Sequence, residues 1–377
     1  MTSRAKIVIS GYYGCGNIGD EAVLAGILEA FRRKSGDETE IVALSQNPEA
    51  TTRLHAIRSA YRMSPSIVRE TLKGSQLLLS GGGSLLQDTT SFKSLVYYLW
   101  VVRVAQRMKL PVMFYAQGIG PFRRPISRLL VRLIASKVNA ITVRDEPSLA
   151  LLKKIGVNRP SIEVTADPAF ALPLVDPEFA NKLWAREELP LNDRLKIGVA
   201  LRPWGQESPA VISRYARLLT EIEAQTGAQV ILIPMQIPGD LNFSVKAAIE
   251  TGRSESFPII RRALPPTELL NLVGKMDAIV AMRLHALIFS ARAAVPPFAL
   301  SYDPKVDSLM SLLNLSDCQA HWRDFDSSEV AAKIKVMLTN RLEFSSRLQE
   351  KALELEKKAL RNAEIALSLI GSKPGKT

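Results

Sequence analysis

Residues 279–294 read I-V-A-M-R-L-H-A-L-I-F-S-A-R-A-A, and the change of pattern within this segment indicates the fold. The apolar run of residues 279–282 predicts a short buried parallel strand, and the sequence from Ala286 onward predicts an amphipathic helix. Arg283 and His285 therefore lie where a strand ends and a helix begins. Ligands of open α/β sheets bind at such strand ends, and the start of a helix favours an anion.

Arg283 and His285 supply different chemistry at this junction. Arg283 carries a fixed positive charge, whereas the imidazole of His285 can take up or release a proton near neutral pH. The chain has only 3 histidines, so one at a strand end is informative. We interpret the segment as part of a functional site; the alternative is a histidine that caps a core helix.

Outward from this segment, apolar strands alternate with helices. Strands are predicted at residues 6–10, 41–44, 77–79, 112–115, 140–143 and 162–164, and again at 197–201, 230–233 and 298–300. Such alternation is typical of parallel, doubly wound sheets. We predict an α/β fold in which two Rossmann-like domains, residues 1–171 and 195–341, face each other across a cleft. A proline-bearing connection at 172–194 joins them, and a C-terminal helix with a frayed tail occupies 342–377.

A glycine loop, G-Y-Y-G-C-G-N-I-G-D-E at residues 11–21, follows the first strand. It matches the G-x-G-x-x-G pattern of dinucleotide sites, but the second strand ends in Ser-Gln-Asn and offers no acid for a ribose. Carboxylates in the first helical turn would also repel a pyrophosphate. We therefore expect the loop to approach a sugar, with these contacts: Tyr12, Tyr13, Gly16, Asn17, Asp20 and Glu21. The alternative for Asp20 and Glu21 is ordinary helix-start chemistry.

Composition narrows the function classes. The net charge of +12 suits nucleic acid, an anionic membrane surface or acidic substrates, but aromatics are only 6% and no nucleic-acid motif appears, so we expect no nucleic-acid partner. No apolar run is long enough to span a membrane, and no signal peptide is apparent. The 2 cysteines cannot form a disulfide framework or a metal cluster. We expect a cytoplasmic protein.

Several motifs together resemble the polysaccharide pyruvyl transferase family, in its CsaB type. They are G-Y-Y-G-x-G-N-x-G-D-E, G-G-G-S-L-L-Q-D, Y-A-Q-G-I-G-P, R-D-E-x-S and M-R-L-H-A-L-I-F, spread over about residues 5–320. The resemblance implies a GT-B-like fold and transfer of the enolpyruvyl unit of phosphoenolpyruvate to a sugar, closed to a cyclic ketal. For the CsaB type it implies that the acceptor is N-acetylmannosamine on a lipid-linked cell-wall precursor, at the cytoplasmic side of the membrane. The pyruvylated polymer made from this precursor then anchors S-layer proteins.

The resemblance places His285, Arg144 and Lys305 in the donor site as catalytic residues. The chemistry agrees, because phosphoenolpyruvate carries a carboxylate and a phosphate that need fixed cations, for which Arg283 is a further candidate. His285 is the best candidate for proton transfer. Arg202, at a strand end beside Trp204, suits the acceptor's diphosphate or sugar. We expect no metal and no cofactor besides the donor substrate. His55 is expected at the surface and His321 in a loop or strand near Trp322, neither with a chemical role.

Two other functions stay open. A GT-B glycosyltransferase that uses a nucleotide sugar would need a ribose-binding acid, for which Asp303 or Asp307 would serve. A non-catalytic anion sensor would bind ligand without turnover. Fold alone does not choose among these functions.

The segment P-F-R-R-P-I-S-R-L-L-V-R-L-I-A-S-K, residues 121–137, has the pattern of an interfacial helix. Its cations are Arg123, Arg124, Arg128, Arg132 and Lys137. We hypothesise that this helix holds the protein peripherally on an anionic membrane; the alternative is that its leucines pack on the sheet.

Overall fold

The computed structural model describes residues 4–36, 38–173, 176–205 and 207–371. Contacts divide the chain into two compact units. Unit 1 contains the chain up to Cys15, then Asp20–Leu172, and the chain from Leu355 onward. Unit 2 contains Gly16–Gly19 and Pro173–Glu354. The tip of the glycine loop therefore belongs to unit 2, although its flanks belong to unit 1.

Unit 1 is built on a parallel sheet with strand order β3-β2-β1-β4-β6-β7-β8, and β5 pairs with β6. This order, in which β1 lies between β2 and β4, is that of a Rossmann fold. The strands are β1 (Ala5–Tyr13), β2 (Thr39–Ser45), β3 (Arg58–Tyr61), β4 (Leu77–Ser80), β5 (Gly83–Leu86), β6 (Val112–Ile119), β7 (Ala140–Val143) and β8 (Ile162–Val164). The helices between them are α1 (Ile18–Ser35), α2 (Pro48–His55), α3 (Pro65–Leu72), α4 (Phe92–Arg107), α5 (Pro125–Ala135) and α6 (Glu146–Lys154).

Unit 2 has a second parallel sheet, in the order β10-β9-β11-β12-β13. The order reverses between β9 and β11, and the carboxyl ends at such a point form the usual ligand site. The strands are β9 (Lys196–Ala200), β10 (Gln229–Leu232), β11 (Ala278–Ala281), β12 (Pro297–Ser301) and β13 (Gln319–His321). The helices are α7 (Pro177–Arg186), α8 (Pro209–Thr226), α9 (Gly239–Glu250), α10 (Pro266–Val273), α11 (Leu284–Arg292), α12 (Pro304–Leu312) and α13 (Ser327–Thr339).

Central strands in both sheets are buried along their whole length. Every residue of β4, β6, β11 and β12 is buried. Strands covered by helices on both faces have such continuous apolar runs, which explains why the sequence shows them clearly. The predicted strands at 140–143 and 162–164 have the bounds of β7 and β8.

Parts of the fold differ from the sequence pattern. Among the strands and α-helices of unit 1, the elements β3, α3 and β5 had no counterpart among the predicted ones. The expected connection at 172–194 contains helix α7. The backbone N–H of Asp176, the N-cap residue of this helix, donates a 2.8 Å hydrogen bond to Asn271 Oδ1. The C-terminal helix is α14 (Arg341–Gly371), and the units divide within it at Leu355. The expected frayed tail lies outside the described residues beyond Gly371.

Candidate active site

The glycine loop in unit 1 is held by a buried acid. Gly14 has a φ of +72°, and a side chain there would lie 2.5 Å from the backbone nitrogen of Asn47. The N–H of Gly14 donates to Glu21 Oε1 at 2.8 Å, and Nε2 of His55 lies 2.8 Å from Glu21 Oε2. The side chains of His55 and Glu21 are 3% and 8% exposed, so the expected surface position of His55 is wrong. The loop engages one oxygen of Glu21 and His55 engages the other. The expected contact of Glu21 with an acceptor stays a prediction.

Tyr12 and Tyr13 have different environments. The Tyr13 ring is buried against its own strand, and a Cβ on Gly81 would lie 2.6 Å from its hydroxyl. Burial raises the pKa of Tyr13 well above its ordinary value, so the phenol stays neutral. Tyr12 is 40% exposed and is the member of the pair that is open to a ligand. Asp20 lies near this edge, since a Cβ on Gly83 would be 3.4 Å from its Oδ1.

Arg144 follows β7 and is buried with a counter-charge. Its Nη1 donates to Asp167 Oδ2 at 2.8 Å, and its Nη2 donates to Ser84 Oγ at 2.9 Å. Burial alone lowers the pKa of Arg144, but the charges of Asp167 and Asp145 outweigh burial and raise it. A Cβ on Gly118 would lie 2.8 Å from Nη2, so the glycine leaves room for the guanidinium. Arg144 is therefore a fixed, compensated charge in unit 1.

Unit 2 places His285 against the tip of the glycine loop. The N–H of Ile18 donates to the Met235 carbonyl at 3.1 Å, and Asn17 forms an antiparallel bridge with Gln236. These contacts hold Gly19 beside the imidazole: a Cβ on Gly19 would overlap with Nδ1 of His285 and lie 2.8 Å from Cγ. His285 is the second residue of α11, and no side chain caps that helix start. The sequence did not indicate this role for Gly19.

Arg283 is paired rather than open. Its Nε donates to Asp240 Oδ2 at 2.8 Å, Nη2 contacts Oδ1 of the same carboxylate, and Nη2 also donates to Gln236 Oε1 at 3.0 Å. Asp240 is fully buried. Bidentate pairing with a carboxylate fixes a guanidinium in orientation and cancels most of its charge. Arg283 therefore holds the 236–240 segment at the end of β11, and its expected donor contact stays a prediction.

Arg202 and Lys305 meet at one aromatic ring. Arg202 Nη1 donates to the Tyr302 hydroxyl at 2.7 Å, and its guanidinium lies 4.7 Å from the centre of the Trp204 ring. Lys305 Nζ lies 5.8 Å from the Tyr302 ring and 3.6 Å from Asp303 Oδ2. Arg202 follows β9, and Tyr302 follows β12, on either side of β11. Arg202 was expected at the acceptor, but the structure groups it with Lys305, an expected donor residue.

The expected site residues thus fall into two groups. Unit 1 holds Tyr12, Tyr13, Asp20, Glu21 and Arg144, and unit 2 holds Gly16, Asn17, Arg202, Arg283, His285 and Lys305. Because Arg144 and Lys305 lie in different units, their shared donor site stays a prediction. Within the described ranges, no group of three or more His, Cys, Asp or Glu residues is arranged to hold a metal ion.

Sequence reasoning missed the partners that fix the arginines and the histidine. Asp167, Asp240 and Tyr302 were not expected in the site. Asp167 and Tyr302 do lie within three residues of the end of a predicted strand, and this position is the signal that would have found them. His321 lies in β13 beside Trp322, as expected, and its side chain is 57% exposed with Nδ1 3.5 Å from Asp324 Oδ2.

Comparisons with known proteins agree with this architecture. A sequence model of the family described as polysaccharide pyruvyl transferase matches residues 17–304. The amylovoran biosynthesis protein AmsJ of Erwinia amylovora is 21% identical over 404 residues, covering 93% of this chain and 96% of AmsJ.

Solved structures share the fold along nearly the whole chain. A UDP-GlcNAc 2-epimerase from Neisseria meningitidis bound to UDP-GlcNAc has a TM-score of 0.68 at 10% identity, covering 97% of this chain and 100% of that one. A glycosyltransferase from Rickettsia africae has a TM-score of 0.63 at 10% identity, covering 98% and 100%. At such identities the likeness concerns the fold alone, and it confirms the predicted α/β fold with two Rossmann-like domains of GT-B type.

Proposed function

Because the chain belongs to the polysaccharide pyruvyl transferase family, we propose that it transfers the enolpyruvyl unit of phosphoenolpyruvate to a sugar. Two sugar hydroxyl oxygens bond to the central carbon of the donor, the bond from that carbon to the phosphate oxygen breaks, and a cyclic ketal forms. The two sugar hydroxyls lose two protons in all. The methylene carbon gains one proton, and the other leaves with phosphate. The reaction needs proton transfer and anion binding, and we expect no cofactor or metal in it.

The observation that supports this proposal is the set of groups at the carboxyl edge of the unit 2 sheet. Arg202, Lys305 and the uncapped start of α11 supply positive charge there, and His285 lies at the same helix start. Among the described residues, no carboxylate forms an ion pair with Arg202, so its charge is available to an anion. Phosphoenolpyruvate carries two anionic groups, and guanidinium and ammonium groups at a helix start bind such groups well.

We assign proton transfer to His285, because imidazole is the side chain whose ordinary titration range lies nearest neutral pH and because Gly19 fixes the position of this ring. Arg202 and Lys305 are assigned to the donor's phosphate and carboxylate. Arg144 and Arg283 each already pair with a buried aspartate. The donor contact of Arg144 follows from the resemblance and that of Arg283 from its place at a strand end, and we retain both as part of the proposal.

For the acceptor we propose a sugar bound on the exposed side of the glycine loop, through Tyr12, Asp20 and Asn17. The CsaB-type resemblance suggests N-acetylmannosamine on a lipid-linked cell-wall precursor and a role in S-layer anchoring. The relative AmsJ is named for amylovoran biosynthesis, which supports a surface polysaccharide as the broader acceptor class.

We further propose that helix α5 meets the inner, anionic face of the cytoplasmic membrane. Ile126, Leu129 and Leu133 are 47%, 48% and 52% exposed, so they do not pack on the sheet. Residues spaced in this way share one helix face, and exposed arginines flank it: Arg123, Arg124, Arg128 and Arg132. Each such cation contributes about 1 kcal/mol to the free energy of binding to an anionic lipid surface. Among the described residues, no helix has the length and apolar character needed to cross a bilayer.

Vesicle sedimentation tests the membrane proposal. The protein should pellet with anionic vesicles at low salt and be released at high salt, whereas Arg124, Arg128 and Arg132 changed together to Gln should abolish pelleting. Equal pelleting with neutral vesicles, or no loss in the triple variant, contradicts the proposal. Lys182, Lys246 and Lys333, all exposed and on unit 2, form the matched control when changed together to Gln.

Phosphate release tests the enzyme function. Phosphoenolpyruvate with nucleotide-linked or lipid-linked N-acetylmannosamine should yield phosphate in proportion to product, and neither substrate alone should do so. In thermal-shift titration, phosphoenolpyruvate should stabilise the protein. Nucleotide sugars that carry a sugar other than N-acetylmannosamine should not. Nucleotide release from a nucleotide sugar without phosphoenolpyruvate would instead identify a glycosyltransferase, and stabilisation without turnover would identify an anion sensor.

A further inference from the structure

Arg62 is a buried cation that the proposed chemistry does not use. It follows β3 at the carboxyl edge of the unit 1 sheet and is 7% exposed. Its Nη1 donates to the Gly11 carbonyl at 3.1 Å and to the Tyr98 hydroxyl at 3.2 Å. Its Nε is buried and donates to no group in the described part of the chain. No described carboxylate forms an ion pair with the guanidinium.

Three tyrosine rings surround this guanidinium. The Arg62 carbon Cζ lies 5.5 Å from the centre of the Tyr12 ring, 4.9 Å from Tyr97 and 5.4 Å from Tyr98. Burial raises the pKa of Tyr97 to about 12, although Arg62 acts to lower it, so this phenol carries no counter-charge at neutral pH. Aromatic faces attract a cation, but they return only part of the hydration free energy that a buried charge loses.

We propose that Arg62 and Tyr12 bind a phosphate of the acceptor, in the diphosphate that joins its sugar to a nucleotide or lipid carrier; this inference rests on the proposed function. A guanidinium with free donors matches phosphate oxygens in geometry and charge. Tyr12 is exposed at this site and belongs to the glycine loop that is expected to contact the acceptor sugar. The acceptor's anion thereby supplies the direct ion-pair partner that no described carboxylate provides to Arg62.

Cys15 offers a local readout of this site. It is half-buried, and Tyr12 and Arg62 both influence its thiol. Burial raises the pKa of the Cys15 thiol, so alkylation should be measured at mildly alkaline pH. Inorganic diphosphate should slow alkylation of Cys15, followed by peptide mass spectrometry. Cys318, which belongs to unit 2, is the internal control and should react at an unchanged rate.

Two variants separate binding from folding. Arg62→Met replaces the buried charge with an apolar side chain of similar length, and such replacements often keep or raise stability. We expect Arg62→Met to retain its thermal midpoint and to weaken diphosphate protection roughly 10- to 100-fold, the value of charged hydrogen bonds. Arg58→Gln is the matched control, because Arg58 begins β3, the strand that Arg62 follows, but is exposed and paired with Glu40. If Arg62→Met fails to fold, Arg62→Lys replaces it, with partial loss expected.

Three outcomes overturn the proposal: no protection of Cys15 in the wild type, equal protection in Arg62→Met, or equal protection by inorganic phosphate and diphosphate at matched concentration. A nucleoside diphosphate sugar and a prenyl diphosphate sugar then show which carrier protects better. Failure of the proposed function is recognised separately. In that case Cys15 protection depends on Arg62, yet no phosphate is released from phosphoenolpyruvate with any acceptor.

Discussion

Gly19→Ala is the most informative single change, because it displaces the His285 ring while leaving His285 itself unsubstituted. Gly19 is the second residue of α1, and its φ is one that alanine readily adopts. Alanine in a helix is favoured over glycine by about 1 kcal/mol. The new Cβ, however, would overlap with Nδ1 of His285 and lie 2.8 Å from Cγ.

The size of the effect follows from this overlap. Carbon atoms in contact prefer about 3.5 to 4.0 Å, so the imidazole must withdraw by roughly 1 Å. A misplacement of about 1 Å can cost about 10²-fold in rate. We therefore expect Gly19→Ala to lose about 10²-fold in turnover, measured as phosphate release from phosphoenolpyruvate with acceptor. Its free energy of unfolding in urea should change by no more than about 1 kcal/mol.

Gly239→Ala is the matched control. Gly239 begins α9 in unit 2, and a Cβ there would meet no atom within 4 Å. It should keep both turnover and stability. Near-normal turnover in Gly19→Ala, at the level of Gly239→Ala, would refute the reasoning that His285 must hold its present position.

Further predictions concern proton transfer, donor binding and the start of α5. His285→Ala should lose about 10² to 10⁴ in turnover, because it removes the acid–base group, while thermal-shift titration still detects phosphoenolpyruvate. Arg202→Gln and Lys305→Gln should each weaken phosphoenolpyruvate by about 10-fold or more, measured as KM, because each removes a charged hydrogen-bond donor. Asp88→Asn should lower the free energy of unfolding by about 1 to 2 kcal/mol at pH 7. The Asp88 carboxylate accepts hydrogen bonds from the backbone N–H groups of Arg123 and Arg124, just before α5, and from the hydroxyl of Ser127. Burial raises the pKa of Asp88, but hydrogen bonds from Ser127 and the backbone outweigh burial, so the pKa is lowered in the folded protein. The stability that the carboxylate contributes is therefore lost as the pH falls through that lowered pKa. In urea unfolding below this pH, the wild type and Asp88→Asn should have the same free energy of unfolding.

Each of these predictions has a control. His321→Ala should keep its turnover, and a similar loss there would mean that His285 has no special role. Arg217→Gln, on an exposed part of α8, should leave the KM for phosphoenolpyruvate unchanged. Asp324→Asn, whose side chain is 76% exposed, should not alter stability at either pH. A deficit in Asp88→Asn that persists at low pH would contradict the assigned role of the carboxylate.

The strand ends were predictable because the buried parallel strands are strongly apolar. Residues 140–143 and 279–282 stand out in this way, and Arg144, Arg283 and His285 follow them directly. Strand β3 was missed because its sequence, R-S-A-Y, has no apolar run, and all four residues are at least partly exposed at the edge of the sheet. Arg62 comes immediately after β3, so the same omission hid a buried cation.

Partners that are distant in the chain could not be read from local patterns. Asp240 and Arg283 are 43 positions apart, and Glu21 and His55 are 34 apart. His55 was expected at the surface because its neighbours, R-L-H-A-I-R, include charged residues. Its imidazole nevertheless turns toward Glu21, because the buried carboxylate holding the glycine loop needs a second hydrogen-bond donor.

The central claim is that the enzyme joins the central carbon of phosphoenolpyruvate to two oxygens of a sugar. The most direct measurement is the NMR spectrum of the product formed in heavy water from phosphoenolpyruvate and N-acetylmannosamine on a nucleotide or lipid carrier. The account predicts a ketal methyl group that carries a single deuterium, formed in step with released phosphate. Phosphate release without that methyl signal, or a sugar transferred from its nucleotide with phosphoenolpyruvate unchanged, would contradict it.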